Sequence, residues 1–275
     1  MRVTMVGHST VLLETAGLRL LTDPWFGTSG NLAYARLAPP AFRREELRDI
    51  DGVLLSHGHW DHTDRRFLRS LDPGVPVLGP AGSPATRWLK GARNLRTLRP
   101  WQSSEVGAAL VTAVPALHLA RTIGFVVQVG GVCAYFAGDT YHRPFMKEIG
   151  RRFRIDVALM PVATFRLPMT MGDRGAVAAV ADLAPATVIP IHLGIAPRSP
   201  LLRTSQSVAS FTRRLRDSGS ATQVVHLREG ESWEAAVPAA NPNRAKTAAA
   251  SGPQSQATTA RAVSRSDRDR SAASA

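Results

Sequence analysis

In the run His57-Gly58-His59-Trp60-Asp61-His62, four side chains able to bind a transition metal occupy six positions, directly after the apolar stretch Val53-Leu54-Leu55. Imidazole and carboxylate together suit Zn²⁺ and its first-row neighbours, whereas Ca²⁺ or Mg²⁺ would call for oxygen ligands. Neighbours in an extended or turning segment point to different sides. His57 and His59 can therefore converge on one point while Asp61 and His62 face another, which is a template for two metal ions.

Further ligands should lie where His or Asp follows a strand, because sites in layered α/β architectures gather at the carboxyl ends of strands. Three places qualify. Val114-Pro115-Ala116-Leu117-His118 ends an alternating stretch, Cys133-Ala134-Tyr135-Phe136-Ala137-Gly138-Asp139-Thr140 is an apolar strand ending in Gly-Asp, and Thr187-Val188-Ile189-Pro190-Ile191-His192 ends in His. Each alone is weak evidence; together with the first cluster they point to a dinuclear site.

Taken in order, His57-x-His59-x-Asp61-His62, His118, Gly138-Asp139-Thr140 and His192 resemble the ligand motifs of the metallo-β-lactamase-fold superfamily. The opening Val6-Gly7-His8-Ser9-Thr10-Val11-Leu12-Leu13-Glu14, Leu20-Leu21-Thr22-Asp23-Pro24, Pro115-Ala116-Leu117-His118 and Thr170-Met171-Gly172 are similar to one branch of it. That branch holds bacterial relatives of the N-acyl-phosphatidylethanolamine-hydrolysing phospholipase D and of the L-ascorbate-6-phosphate lactonase. The resemblance covers about residues 1 to 237 and implies an αββα sandwich. With the geometry above, it implies that His57, His59 and His118 hold one metal, that Asp61, His62 and His192 hold the other, and that Asp139 bridges both. Zn²⁺ is the first expectation, with Mn²⁺ or Fe²⁺ open because the set contains no thiolate. A carboxylate bridge would keep two cations roughly 3.5–4 Å apart, close enough to share one hydroxide as nucleophile. No Gly-x-Ser-x-Gly motif is present, and such a site needs none. Asp61, Asp139 and His192 are then the catalytic candidates, with protonation of the leaving group assigned to Asp61 or to water.

Asp23, His8 and Thr140 are candidates for supporting the ligands, since metal-bound imidazoles usually donate their other N–H to a fixed acceptor. Arg121 and Arg166 could neutralise a phosphate, and Tyr141 and His142 follow Asp139 closely enough to reach substrate. The expected function is hydrolysis of a small, anionic phosphodiester or lactone-type ester, the phosphodiester being favoured by the basic body of the chain. The alternative is a nucleic-acid-processing hydrolase using the same site. An extension of the kind that helps phospholipase relatives grip a diacyl lipid is not expected before Met1, and the expected substrate is therefore smaller and soluble.

The chain has 275 residues, 44% of them hydrophobic, and a formal net charge of +13. Its size suits a large buried core. The longest apolar stretches are interrupted by Thr112, Pro115 and His118, so no segment is expected to span a membrane. A secretory signal is lacking at Met1-Arg2-Val3-Thr4-Met5, and the lone Cys133 cannot form an internal disulfide, so a cytoplasmic location is expected. Arg244, Lys246, Arg261, Arg265, Arg268 and Arg270 against Asp267 and Asp269 place four of the thirteen net charges in the tail; the body keeps the rest. Such a field favours anionic partners, yet no recognised nucleic-acid motif accompanies it.

Strands are expected over residues 2–6, 10–14, 18–22, 51–55, 75–78, 94–98, 155–161 and 186–191, with a meander over 108–137 that turns at Gly130-Gly131 and closing strands near Gln223 and Ser232. Helices are expected over 43–48, 65–71 with Asp64 as N-cap, 83–91, 144–153, 173–183 and 205–218. Residues 27 to 42 read as a loop over the site. From Pro238 onward Ala, Ser, Thr, Gln, Arg and Asp dominate, so 238–275 is expected to be a disordered basic tail attached to a hydrolase domain of residues 1–237.

Overall fold

In the computed structural model, residues 1–15, 17–47, 49–82 and 94–235 are described. The expected helix 83–91 and the tail 238–275 lie outside the described residues. Two seven-stranded sheets dominate, in the orders β16-β1-β2-β3-β5-β6-β7 and β15-β13-β12-β11-β10-β9-β8. The first sheet contains β1 (Arg2–Gly7), β2 (Thr10–Thr15), β3 (Leu18–Thr22), β5 (Gly52–Leu54), β6 (Val77–Pro80), β7 (Leu95–Leu98) and β16 (Ser232–Glu234). The second contains β8 (Ser103–Val106), β9 (Ala109–Pro115), β10 (Ile123–Val129), β11 (Val132–Phe136), β12 (Val157–Pro161), β13 (Thr187–Ile191) and β15 (Gln223–Val224). Each sheet begins antiparallel and continues parallel, from β3 to β7 in one and from β11 to β15 in the other.

The burial pattern explains the layering. Strands β11, β12 and β13 are buried at every residue, as expected for parallel strands covered on both faces. One apolar cluster, including Leu20, Leu54, Val111, Phe125, Phe136 and Ile189, draws on both sheets and fills the space between them. A second packs β10–β13 against α2 (Phe145–Arg152), α3 (Asp173–Leu183) and α4 (Val208–Asp217). The third packs the first sheet against α1 (Arg65–Ser70). Three apolar seams therefore separate four layers, helix, sheet, sheet and helix. Of the helix starts, Asp64 caps α1 by accepting from the backbone N–H of Arg66 and Phe67, and Ser207 and Ser210 close a reciprocal capping box on α4. The β10–β11 hairpin turns at Gly130 (φ 57°) and Gly131 (φ 76°), with Val129 opposite Val132; both turn residues need positive φ, which glycine adopts without strain.

Two expectations change. Residues 27–42 are not all loop: β4 (Tyr34–Arg36) pairs with β14 (Ile195–Pro197), a three-residue strand too short to show a period in sequence. The helix expected over 43–48 is a 3-10 turn, Arg44–Leu47, buried only through Leu47.

Candidate metal centre

Six strand ends converge at one edge of the sandwich. His8 follows β1, Asp23 follows β3, His57 to His62 follow β5, His118 follows β9, Asp139 follows β11 and His192 follows β13. Asp139 stands at the middle. Its Oδ2 lies 3.2 Å from His192 Nε2, 3.4 Å from His62 Nε2, 3.7 Å from His118 Nε2 and 3.9 Å from His57 Nε2. Gly138 makes that approach feasible: at φ 56°, a Cβ there would meet Ser56 Cβ at 2.5 Å.

The ligand-type atoms fall into groups. His57, His59 and His118 form one, and Asp61, His62, His192 and His8 form another. A third combination, Asp23 with His57 and His62, is not a cation site, because the Asp23 carboxylate is saturated by donors. Its oxygens accept from the Ser56 backbone N–H (2.6 Å), the Ser56 hydroxyl (2.6 Å) and His62 Nδ1 (2.7 Å). Having given its proton to Asp23, the Ser56 hydroxyl can only accept from His57 Nδ1, 2.9 Å away. Both imidazoles thus keep a proton on Nδ1 and turn Nε2 towards Asp139, so Nε2 is the nitrogen each would offer a cation once it is deprotonated. Through one carboxylate, Asp23 sets the tautomer of one histidine in each group.

Buried polar atoms without partners test whether cations fit. His57 Nε2, His62 Nε2, His118 Nδ1 and Asp139 Oδ1 are all buried and unbonded, and His118 Nε2 faces His59 Nδ1 at 3.3 Å. Such groups ordinarily find partners, each lapse costing about 1–3 kcal/mol. Lone pairs facing one another around a carboxylate are what divalent cations would satisfy, so the residues fit the group. The electrostatics agree. For His62, burial alone would lower the imidazole's pKa, but Asp139, Asp23 and Asp61 outweigh it and hold it well above the ordinary range. For Asp139, burial works against ionisation, yet His192 and His62 keep the carboxyl well below its usual value. Burial lowers His57 well below the ordinary imidazole value and brings His118 to about 4.

His8 is buried beside the second group, but its proton points the wrong way for a ligand. The Gly194 backbone N–H donates to His8 Nδ1 (3.1 Å), which leaves the proton of a neutral ring on Nε2, 3.5 Å from Asp61 Oδ2. Burial, followed by His192, keeps the ring neutral by lowering its pKa to about 3. His8 Nε2 makes no hydrogen bond, so its tie to Asp61 is electrostatic proximity alone. Gly194 is required there, since a Cβ would meet His8 Cβ at 2.9 Å. Thr140 serves the first group indirectly: its hydroxyl accepts from the Leu117 N–H and donates to the Tyr141 carbonyl, tying the His118 loop to the Asp139 loop.

The four expected substrate contacts are not brought into the cavity over the metal-binding side chains. Arg121 donates to the Ala81 carbonyl, His142 pairs with Asp182 of α3 at 2.7 Å, and Arg166 is exposed on the loop after β12. The Tyr141 ring lies 6.4 Å from His118 with its hydroxyl on the Pro168 carbonyl. The cavity is lined instead by Tyr34, Trp60, Phe165, Met169 and Ile195 above His59, Asp61, Asp139 and His192. Trp60 and Ser56 could have been noticed from their places beside the ligand run. Tyr34 and Phe165 carry no local signal, because tertiary pairing of β4 with β14 brings them in.

The family model described as the Beta-lactamase superfamily domain matches residues 18–193. A UPF0173 metal-dependent hydrolase of Methanopyrus kandleri is 30% identical over 85% of this chain and 100% of its own length. Another from Methanoregula boonei is 33% identical over 70% of this chain and 82% of its own. Among solved structures, the fold is shared with an isothiocyanate hydrolase from Delia radicum gut bacteria (TM-score 0.70, 18% identity, 85% of this chain and 99% of that one). It is shared as well with the metallo hydrolase Igni18 of Ignicoccus hospitalis (TM-score 0.66, 21% identity, 85% and 98%). The chain belongs to the UPF0173 metal-dependent hydrolases of the metallo-β-lactamase superfamily. No helix among the described residues is long and apolar enough to cross a membrane.

Proposed function

We propose that this protein hydrolyses a lactone-type or similarly uncharged ester at a dinuclear centre. His57, His59 and His118 would hold one divalent cation, Asp61, His62 and His192 the other, and Asp139 both, with zinc the first candidate. Cations bound there would supply a water nucleophile at neutral pH and offset charge developing on the substrate oxygen. Asp23 and Ser56 keep His57 and His62 in the tautomer that offers Nε2, and His8 lies close beside Asp61. The Asp61 carboxyl, which burial alone would raise, is held well below its usual range chiefly by His62 and the His8 contact. Its charge suits a ligand better than a proton donor to the leaving group.

The observation that carries the choice of ester is the lining. Tyr34, Trp60, Phe165, Met169 and Ile195 put no lysine or arginine over the centre, whereas a phosphodiester would leave its charge beside aromatic walls. The preference for a phosphodiester drawn from sequence rested on the basic body of the chain and on Arg166 or Arg121, and neither arginine lines this cavity. A larger cavity of about 690 Å³ adjoins through Phe165, His192 and Ile195, with Met5, Pro190, Val208 and Leu227 on its apolar side and Arg203, His226, Arg228 and Glu229 on its polar side. It offers room for an apolar substituent. The test is metal analysis together with a hydrolysis screen across lactones, phosphodiesters and phosphomonoesters. Lactone turnover that depends on two bound metals per chain is expected. Phosphodiester turnover exceeding it would overturn the assignment, and at most one tightly bound ion after reconstitution would refute the dinuclear centre.

A further inference from the structure

The exposed large apolar side chains of the described residues are concentrated in one place. Leu110 lies on β9, but Leu32 (100% exposed), Leu37, Leu117, Leu119 (74%), Leu167 and Leu201 (77%) all belong to loops around the metal cavity, as does Trp60. These loops form one rim. β4 pairs with β14, and the Arg198 N–H donates to the Ala33 carbonyl. The Arg166 N–H donates to Leu202, the Tyr141 hydroxyl to Pro168 and the Tyr141 N–H to Leu117. Trp60, Tyr34 and Phe165 meet at the cavity in the centre.

The charge on this rim is one-sided. Segments 27–42, 116–122, 140–144, 163–172 and 193–207 contain Arg121, Arg143, Arg166, Arg198 and Arg203 and no aspartate or glutamate, while Arg36 is turned inward over Trp25 beside Glu229 and the acidic residues of the Trp60 loop, Asp61 and Asp64, face the metal site and Arg44. Arg121, Arg143, Arg198 and Arg203 donate to the backbone carbonyls of Ala81, His142, Asn31 and Pro197. Carbonyl partners hold a guanidinium in place without cancelling its charge. Exposed apolar tips on loops tied to one another, set among arginines without acidic partners, mark an interaction face. Exposed leucines among arginines match the boundary between acyl chains and anionic headgroups. Single-stranded nucleic acid would call for aromatic platforms in place of leucine tips.

We propose that this rim docks on an anionic lipid surface, with the leucine tips at the acyl boundary, the arginines at the headgroups and the metal cavity opening towards the bilayer. The docking does not depend on which bond the centre breaks. The test uses the full chain, sedimented with vesicles of phosphatidylcholine alone or mixed with phosphatidylglycerol, beside the variant Leu32→Asp/Leu119→Asp/Leu201→Asp. The three positions are exposed, so an unchanged melting temperature verifies the fold, and the basic tail is present in both proteins. Wild type should sediment with the mixed vesicles and far less with phosphatidylcholine alone, and brominated acyl chains should quench its tryptophan fluorescence. The triple variant should lose at least tenfold in partitioning. Three results would overturn the proposal: no vesicle binding by wild type, equal binding by the variant, or self-association through the rim without vesicle binding, which would assign the face to a second copy.

Discussion

Replacing Asp23 by Asn tests the central structural argument, because it removes a charge while changing little else. Asn tolerates the positive φ of 32° found at Asp23 and keeps one carbonyl oxygen. The carboxylate accepts from the Ser56 N–H, the Ser56 hydroxyl and His62 Nδ1 at 2.6, 2.6 and 2.7 Å. An amide cannot accept all three: its NH₂ would face a hydroxyl or an imidazole N–H. If His62 responds by moving its proton to Nε2, it loses the lone pair turned to Asp139. If Ser56 responds by rotating, His57 Nδ1 loses its acceptor. A hydrogen bond to a charged group contributes about 1.5–3 kcal/mol, and loss of such a supporting partner typically weakens metal binding 10–100-fold. Since one histidine of each proposed cation site depends on Asp23, both binding steps should weaken by that factor in Asp23→Asn. In Ser56→Ala only the step involving His57 should. Competition with a chromophoric chelator resolves the two affinities on one sample. Wild-type affinity for both ions in Asp23→Asn, with the fold intact by circular dichroism, would refute the reasoning.

Asp139→Ala should lose several orders of magnitude in turnover and bind metal poorly at both positions, whereas His192→Ala should be less damaged; metal content and kinetics on the same samples decide. Metal uptake should release protons and weaken as pH falls, because His62 is held above the ordinary imidazole range in the metal-free protein and a ligand must be deprotonated. Calorimetry in buffers of different ionisation enthalpy measures the release, and its absence would contradict the electrostatics. Arg166→Ala and His142→Gln should leave kcat/KM within about twofold, as expected for surface side chains outside the cavity; a tenfold loss would return them to the site. Removing residues 241–275 should leave turnover and melting temperature nearly unchanged, since composition alone makes that segment a poor core former.

Legibility in the sequence followed the range of the interactions. The ligand run could be read because four residues of one loop carry most of its chemistry, and His118, Asp139 and His192 because each ends an apolar strand. The helix α3 was readable to its ends, since Asp173 follows Gly172 and apolar residues recur on one face up to Leu183. The geometry of Asp23 was less so: nothing local shows that a carboxylate after β3 meets a serine 33 positions away. The substrate side was less legible, since none of Arg121, Tyr141, His142 and Arg166 lines the cavity. Arg121 and Arg166 drew attention by charge, but a guanidinium on a rim loop can point anywhere. The aromatic lining depends on β4 meeting β14 across some 160 residues, a contact without periodicity to betray it.

Backbone strain shows what the scaffold contributes. Five described non-glycine residues have positive φ, and three of them, His8 (61°), Asp23 (32°) and His192 (63°), sit at the centre. Left-handed backbone costs an ordinary L-residue about 1–2 kcal/mol, so three such residues at neighbouring strand ends need over-determination by their surroundings. It is supplied locally. The His192 N–H donates to the His8 carbonyl and the Asp23 N–H to the Leu54 carbonyl, while the Thr10 hydroxyl donates to the Asp23 carbonyl at 2.7 Å. Each bond turns a strand end back across the sheet edge instead of letting it run on. That turn is what lets side chains from two separate sheets face one carboxylate. The buried strands behind them hold the positions before any cation arrives, so the fold should survive loss of a ligand, and the chemistry should not survive loss of the turns.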